Sequence, residues 1–418
     1  MDLTPVRGSR DFLAGEKLLR DATVSKLKRV FELYGFNPLE TPALEYLEVL
    51  SSKYAGGEEI IKEIYSLEDQ GKRKLGLRYD LTVPLCRVVA GNKFAMPFKR
   101  YAIDLVWRDG PIKAGRYREF VQCDVDVLGV ESVWAEAELI SLLYSAFNEL
   151  GLRVVVKVNS RKLLNSLLSK AGVKEEKFNE FILSLDKLEK IGVDGVKKEL
   201  KEKGFSVKII NSALSLLKEK DLVAFKSFDG AKDLQELFDY SRVFSLPEGV
   251  LDFTPSLARG LSYYTGIVFE AFLVDSVVKS SVAAGGRYDD LVGAFSGKEK
   301  IPAVGFSFGL DVICEELKQK ALDKTVVSVL VIPFKNTELG VRLVQTLRAA
   351  GVNSVVDLVG KNVSKNLDYA SKEGIRFVAF YGEKELAEGK VKLRDMNSGV
   401  EELFTEEGVV EAIKKGLN

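Results

Sequence analysis

Along residues 16–34 the apolar positions recur at helical spacing. Leu19, Val24, Leu27, Val30, Phe31 and Leu33 fall on one side of a helix, and Gly35 supplies its stop. From there to about residue 151 the pattern changes to short apolar runs. GLRYDLTVPLCRVVA and REFVQCDVDVLGV read as strands and strand-to-helix junctions. The second run alternates. Val121, Cys123, Val125 and Val127 share one face, with Gln122, Asp124 and Asp126 on the other, because successive strand side chains point to opposite sides.

Residues 162–240 carry a different pattern, rich in Lys, Glu and Leu, with glycine sparse after Gly195. Heptad-like stretches such as LLNSLLSKAG and LKEKDLVAFK predict a small helical module. Strand character returns over residues 250–270, then in AAGGRYDDLVGAF and IPAVGFSFGLDVI, so the module interrupts a sheet domain and is expected on its surface. Beyond the polar connector CEELKQKALDKT, the runs VVSVLVIPF, VNSVVDLV and IRFVAFYG alternate with helical stretches at 337–350 and 364–372. Buried strands alternating with helices predict a parallel α/β sheet. The expected division is a sheet domain in two parts, 1–160 and 246–322, a helical insertion at 161–245, and a separate α/β domain at 325–418.

Composition narrows the function. The 418 residues are 46% hydrophobic and 29% charged, as in ordinary globular protein, and Lys+Arg equal Asp+Glu at 61 each. No bulk basicity advertises a polyanion, so nucleic acid would be met by a local patch. No run of about 18 apolar residues suggests a membrane span, and the first residues lack the apolar core of a signal peptide. Cys86, Cys123 and Cys314 are odd in number and far apart, fitting reduced thiols in a cytoplasm and giving no zinc-ligand spacing. The chain contains no histidine. That removes imidazole-based triads, HExxH zinc sites and histidine phosphotransfer, and leaves carboxylates, arginines, tyrosines, lysines or a bound metal to carry any chemistry.

Five segments hold candidate groups. In GLRYDLTVPLCRVVA, Asp80 and Thr82 share a face if extended, and serve equally well as caps for the helix that Pro84 begins. In VWRDGPIKAGRYREFVQCDVDVLG, a hairpin places Arg108 leaving one strand and Arg116 and Arg118 entering the next. Facing arginines can grip a phosphate from two sides, or pair with acids across an exposed sheet face. Gly285 with Gly286, and Gly305 with Gly309, would let backbone approach a ligand closely, although a lone glycine pair more often marks a turn. LARGLSYYTGIVFE is hardest to explain as packing: Arg259 and the adjacent Tyr263 and Tyr264 precede a strand at 266–270, and a plain amphipathic strand would not set two phenols side by side.

Taken together, PVRGSRDF, LRYDLTVPL, GRYREFVQCDVDVLG, ARGLSYYTGIVFE, GGRYDDLVG and PAVGFSFGLD occur in the order and spacing of histidyl-tRNA synthetases, which the chain resembles over nearly its whole length. LRYDLTVP is similar to the archaeal and eukaryotic branch. The resemblance implies an α+β class II aminoacyl-tRNA synthetase core, an antiparallel sheet flanked by helices, with a helical insertion and a C-terminal α/β anticodon-binding domain. It also implies a cytoplasmic homodimer joined through the helix at 16–34 and a strand around Pro42, acting on ATP with Mg²⁺, L-histidine and tRNA(His), with no membrane partner and no metal-ligand set on the protein. By matching motifs, Asp80 and Thr82 hold the histidine ammonium, Gln122 and Arg259 its carboxylate, and Asp126, Tyr263 and Tyr264 surround the ring. Arg108, Arg116, Gly285, Gly286 and Gly309 belong to the ATP site, Arg108 and Arg259 being catalytic. The loop 109–115 touches the tRNA acceptor end.

Two departures bear on activity. The family has aspartate where Ser262 stands, and an arginine of its third motif where Val312 stands, leaving Arg287 as a candidate substitute cation. An alternative reading follows: a catalytically silent paralogue sensing histidine as a regulatory subunit of ATP phosphoribosyltransferase. Such paralogues typically lack the C-terminal domain and the specific strings present here.

Overall fold

Eleven of the strands come before residue 310 in the computed structural model, which describes residues 1–51, 61–112, 117–260, 263–297, 300–318, 323–334, 336–382, 385 and 387–417. In chain order they are β1 (Asn37–Pro38), β2 (Leu44–Tyr46), β3 (Ser66–Glu68), β4 (Lys74–Leu77), β5 (Phe98–Trp107), β6 (Glu119–Leu128), β7 (Val154–Ser160), β8 (Leu251–Phe253), β9 (Ile267–Leu273), β10 (Ala283–Arg287) and β11 (Ala303–Gly309). Eight form one sheet in the order β1-β5-β6-β11-β10-β9-β7-β8, and β2-β4-β3 form a small second one. Pairing is antiparallel from β5 across to β7 and parallel only at the two edges, β1 with β5 and β7 with β8.

One face of the large sheet is covered by helices. Phe308 of β11 meets Phe31 of the Ala14–Leu33 helix at 5.7 Å and Phe147 of the Trp134–Glu149 helix at 5.4 Å. The first helix stops where expected, at Gly35 with φ +77°. Pro42 lies just before β2, not within a strand.

The opposite face is organised by register. Asp126 pairs across with Arg100 of β5 and Gly305 of β11, Asp124 with Ala102 and Ser307, and Gln122 with Asp104 and Gly309. Directly opposite residues share a face, so three polar β6 side chains stand in a row flanked by small residues of β11. Gly305 is glycine for a reason the register supplies: a Cβ there would lie 1.9 Å from Asp126 Oδ1.

Between β7 and β8 run the helices Arg161–Lys170, Phe178–Leu185, Leu188–Glu202, Val207–Leu216 and Ala231–Val243. Ser160 caps the first, accepting from Leu163 N. The module is more than a surface appendage. Tyr240 stacks on Trp134 of the core at 3.9 Å and 6°, and residues where the second helix ends and the third begins reach the cavity described below.

The chain divides into two compact units, Met1–Arg10 with Thr23–Leu317, and Asp11–Ala22 with Lys318–Asn418. The grouping of Asp11–Ala22 with the second unit differs from the division expected from pattern. In the second unit, β12 (Val329–Pro333), β13 (Ser354–Val356), β14 (Phe377–Tyr381), β15 (Val391–Asp395) and β16 (Glu401–Phe404) form a sheet ordered β13-β12-β14-β15-β16. The first three are parallel, with helices Thr337–Ala349 and Val363–Glu373 between them, as the alternation predicts. Val329, Val331 and Ala379 pack with the first helix, Leu330, Ile332 and Val378 with the second, which is why these strands read as unbroken apolar runs. The antiparallel β15 and β16 escaped pattern reading because β16 is mostly exposed and polar.

Candidate active site

A cavity of about 950 Å³ lies in the first unit, its lining including Asp80, Thr82, Arg108, Gln122, Asp126, Arg259, Tyr263 and Tyr264. All seven histidine-site candidates and both catalytic candidates thus converge on one hollow.

β6 forms its floor. Asp126 is 2% exposed; Tyr288 donates its hydroxyl to Oδ1 at 2.5 Å, and Arg100 Nη2 approaches Oδ2 at 2.8 Å. Asp124, 3% exposed, stands 3.9 Å from the same guanidinium. Burial raises the pKa of both acids against the pull of Arg100, Asp124 reaching about 7. Arg100 remains charged: burial opposes its charge, but the two carboxylates outweigh burial. Gln122 donates Nε2 to Ser307 Oγ at 3.2 Å, and its Oε1 is buried without a partner among the described residues.

Asp80 both caps a helix and faces the hollow. Its Oδ1 accepts from Val83 N at 3.0 Å, capping the Thr82–Gly91 helix, while the side chain lines the cavity. Burial lifts its pKa to about 6. Arg108 leaves the end of β5 and is steadied by its Nε donating to Tyr79 O at 2.9 Å and by Phe120, whose ring centre is 5.2 Å from the guanidinium. Arg259 is ion-paired through Nη1 with Glu270 of β9, and its Nε is buried without a partner among the described residues. Burial works against its charge, yet Glu270 holds the pKa above its usual value. The rings of Tyr263 and Tyr264 are 4.8 Å apart at 56°, and Tyr263 meets Tyr288 edge-on at 6.0 Å. The hollow therefore offers carboxylates and phenols at its floor and cations at its wall, a set matched to a small zwitterion beside an anionic group.

The family model for histidyl-tRNA synthetase matches residues 8–313, and that for an anticodon binding domain matches residues 327–416. The chain belongs to the histidyl-tRNA synthetase family. It is 46% identical over 415 residues to histidine–tRNA ligase 1 of Bacillus cereus, covering 96% of this chain and 95% of that one. It is 42% identical to histidine–tRNA ligase 2 of Shouchella clausii, covering 96% and 98%. The crystal structure of histidyl-tRNA synthetase from Nostoc sp. PCC 7120 matches with a TM-score of 0.85 at 31% identity, covering 99% of both chains. An ATP phosphoribosyltransferase regulatory subunit/histidyl-tRNA synthetase from Bacillus halodurans C shares the fold, with a TM-score of 0.76 at 22% identity over 91% of this chain and 99% of that one. The core of this histidyl-tRNA synthetase family member is accordingly the class II antiparallel sheet, and its second unit the anticodon-binding α/β domain.

The remaining expected site residues divide. Gly285 and Gly286 lie outside the cavity lining: a Cβ on Gly285 would meet Gly305 O at 2.2 Å, and one on Gly286 would meet Ile267 O at 2.6 Å and Tyr264 Cδ1 at 3.0 Å. They permit close strand packing and leave room for the Tyr264 ring. Gly309 does line the hollow, next to Val312. Arg116 and Ser262 lie outside the described residues. Arg118 lies outside the cavity lining; its Nη2 pairs with Asp109 at 3.0 Å and its Nε donates to Gly110 O at 3.2 Å. Arg287 does not substitute for the arginine that Val312 replaces. It is 6% exposed, held by Glu136 through two 2.6 Å bonds and by Asp289 at 3.2 Å, and points away from the hollow into a structural ion pair. The described lysines at the cavity are Lys190 and Lys279, the latter donating to Ser276 O at 2.7 Å.

Sequence reading missed Arg100, Tyr288 and Glu270, and the contribution of Leu185, Asp186, Leu188, Glu189 and Lys190 of the insertion to the lining. Arg100 had one weak signal: of the adjacent Lys99 and Arg100 in FKRYAIDLVW, one must point to the face opposite the other, and a cation on a buried strand face needs an acid opposite it.

Proposed function

We propose that this chain is a histidine–tRNA ligase, which activates L-histidine with ATP to histidyl-adenylate and pyrophosphate and then transfers the histidyl group to tRNA(His). What carries the reading is the convergence of Asp80, Gln122, Asp126, Arg259 and Tyr264 with Arg108 on one cavity. Histidine presents an ammonium, a carboxylate and two distinct ring nitrogens. Asp80 and Thr82 would take the ammonium, Gln122 and Arg259 the carboxylate, and Asp126 with the tyrosines the ring. A pocket polar group left unpaired by the wrong amino acid costs heavily, so this set selects as well as binds.

In the first step an oxygen of the histidine carboxylate bonds to the α-phosphorus, and the bond to the pyrophosphate oxygen breaks. The nucleophile is already ionised, so no protein base is required and the absence of histidine from the chain is no obstacle. The work left to the protein is positioning and stabilising charge at the α-phosphoryl group, the task assigned to Arg108 and Arg259. In the second step a ribose hydroxyl of the tRNA terminus bonds to the acyl carbon and AMP departs, the hydroxyl proton passing to the leaving phosphate or to water.

Mg²⁺ would arrive on the triphosphate. Mg²⁺ keeps several waters and binds largely through substrate phosphates. The match of residues 327–416 to an anticodon-binding model supports tRNA as partner and weighs against the regulatory-subunit alternative. A homodimer is proposed on the family resemblance, and the exposed Leu44, Tyr46 and Leu67 of the small sheet offer it apolar surface. Residence in the cytoplasm fits three buried, unbridged cysteines and the absence, among the described residues, of a helix long and apolar enough to cross a membrane.

Pyrophosphate exchange tests the reading. Exchange should require both histidine and ATP, proceed without tRNA, and fall about 10²- to 10³-fold in Arg108→Ala, as for loss of one preorganised donor at developing charge. Histidine binding without exchange would overturn the ligase in favour of a sensor.

A further inference from the structure

We infer that Asp124 is a further specificity-determining residue, its unpaired Oδ1 accepting a hydrogen bond from the α-ammonium of L-histidine. The inference rests on the ligase reading for the identity of the guest, but its motive is local. Asp124 lines the cavity, is 3% exposed, and its Oδ1 has no hydrogen-bond partner among the described residues. Buried polar atoms are rarely left so, because the desolvation penalty of the group is then met only in part, here by the Ser307 hydroxyl and by Arg100 at 3.9 Å. The neighbouring acids have closer company: Asp126 accepts from Tyr288 at Oδ1 and has Arg100 at 2.8 Å from Oδ2, an oxygen that also makes no hydrogen bond among the described residues, and Asp80 accepts from Val83 N. Arg100 cannot serve all of them, standing 2.8 Å from Asp126 but 3.9 Å from Asp124.

Position selects the donor. Alternate residues of a strand are about 6.8 Å apart on one face, so Asp124 lies midway between Gln122, placed at the substrate carboxylate, and Asp126, placed at the ring. The group midway along histidine is the α-carbon with its ammonium. An ammonium carries three donors; Asp80 and Thr82 account for two, and Asp124 for the third. A cation also suits a floor on which Asp124 and Asp126 share one guanidinium. Burial has lifted the Asp124 carboxyl to about 7, and an ammonium beside it would restore its charge.

The test compares Asp124→Asn with the parent for equilibrium binding of histidine and of 3-(imidazol-4-yl)propionate, which keeps ring and carboxylate but lacks the ammonium. Histidine should bind about 10- to 100-fold more weakly to the variant, the des-amino analogue equally to both proteins, and the KM for ATP in exchange should move less than about twofold. Unchanged histidine binding, or equal weakening of both ligands, overturns the inference. The histidine-to-analogue ratio is insensitive to the folded fraction, and Asp124→Ser read the same way covers an asparagine variant that folds poorly. A parent that binds both ligands yet supports no exchange sinks the ligase reading while the ratio still judges Asp124.

Discussion

Arg259→Gln lowers histidine-dependent pyrophosphate exchange by about 10³-fold or more, beyond the loss expected for Arg108→Ala. Removing a single donor aimed at developing charge costs about 10²- to 10³-fold. Here the loss does not end with the donor. Glu270 is the ion-pair partner of Arg259 and also lines the cavity, so the glutamine variant leaves a bare carboxylate facing a site that must take up a carboxylate and a triphosphate. An attraction becomes a repulsion in a partly desolvated hollow, where like charges cost more than in water. The double variant Arg259→Gln with Glu270→Gln separates the two contributions: it should recover about tenfold of the exchange and leave the remainder lost. Exchange in the single variant within tenfold of the parent would remove Arg259 from the catalytic assignment.

The second large effect is on stability. Arg100→Met should destabilise the protein by about 3–5 kcal/mol, the range for breaking a buried ion pair from one side. Arg100 is 1% exposed and is the cation facing Asp124 and Asp126, which methionine would leave buried without a counter-charge. The pH dependence has a definite sign. Asp124 titrates near 7 folded, against about 3.9 in an unfolded chain, so between those values the folded state binds more protons and gains stability as pH falls. Without Arg100 both carboxyls move further up, and the deficit against the parent is greatest above pH 7 and shrinks toward pH 5. Urea midpoints of the two proteins at pH 8 and pH 5.5 measure it. An equal deficit at both would show that lost packing, not uncompensated buried charge, is what the substitution costs.

Much of the fold was legible because periodicity reports burial. The residues 16–34 stripe became the Ala14–Leu33 helix, and the alternation in REFVQCDVDVLGV became β6 with its acids on one face. What escaped had a physical cause each time. β15 and β16 pair at a solvent-facing edge and carry no apolar run. Arg100 was passed over because, next to Lys99, it looks like a surface residue until register puts it opposite Asp126. Gly285 and Gly286 invited a ligand reading, but strand neighbours at 2.2 and 2.6 Å from their missing Cβ atoms account for them. The insertion announced itself as helical, yet its arrival at the cavity wall beside Arg259 depends on how helices pack, which no local pattern states.

The row of acids along β6 and at Asp80 has one more consequence. The chain contributes no imidazole, so the groups poised to change charge near neutrality include Asp80 at about 6 and Asp124 at about 7. An arriving cation drives their protons off into the buffer. The heat of association then varies with the ionisation enthalpy of that buffer, and the slope counts the protons expelled. Occupancy of the hollow becomes legible as acid set loose in solution.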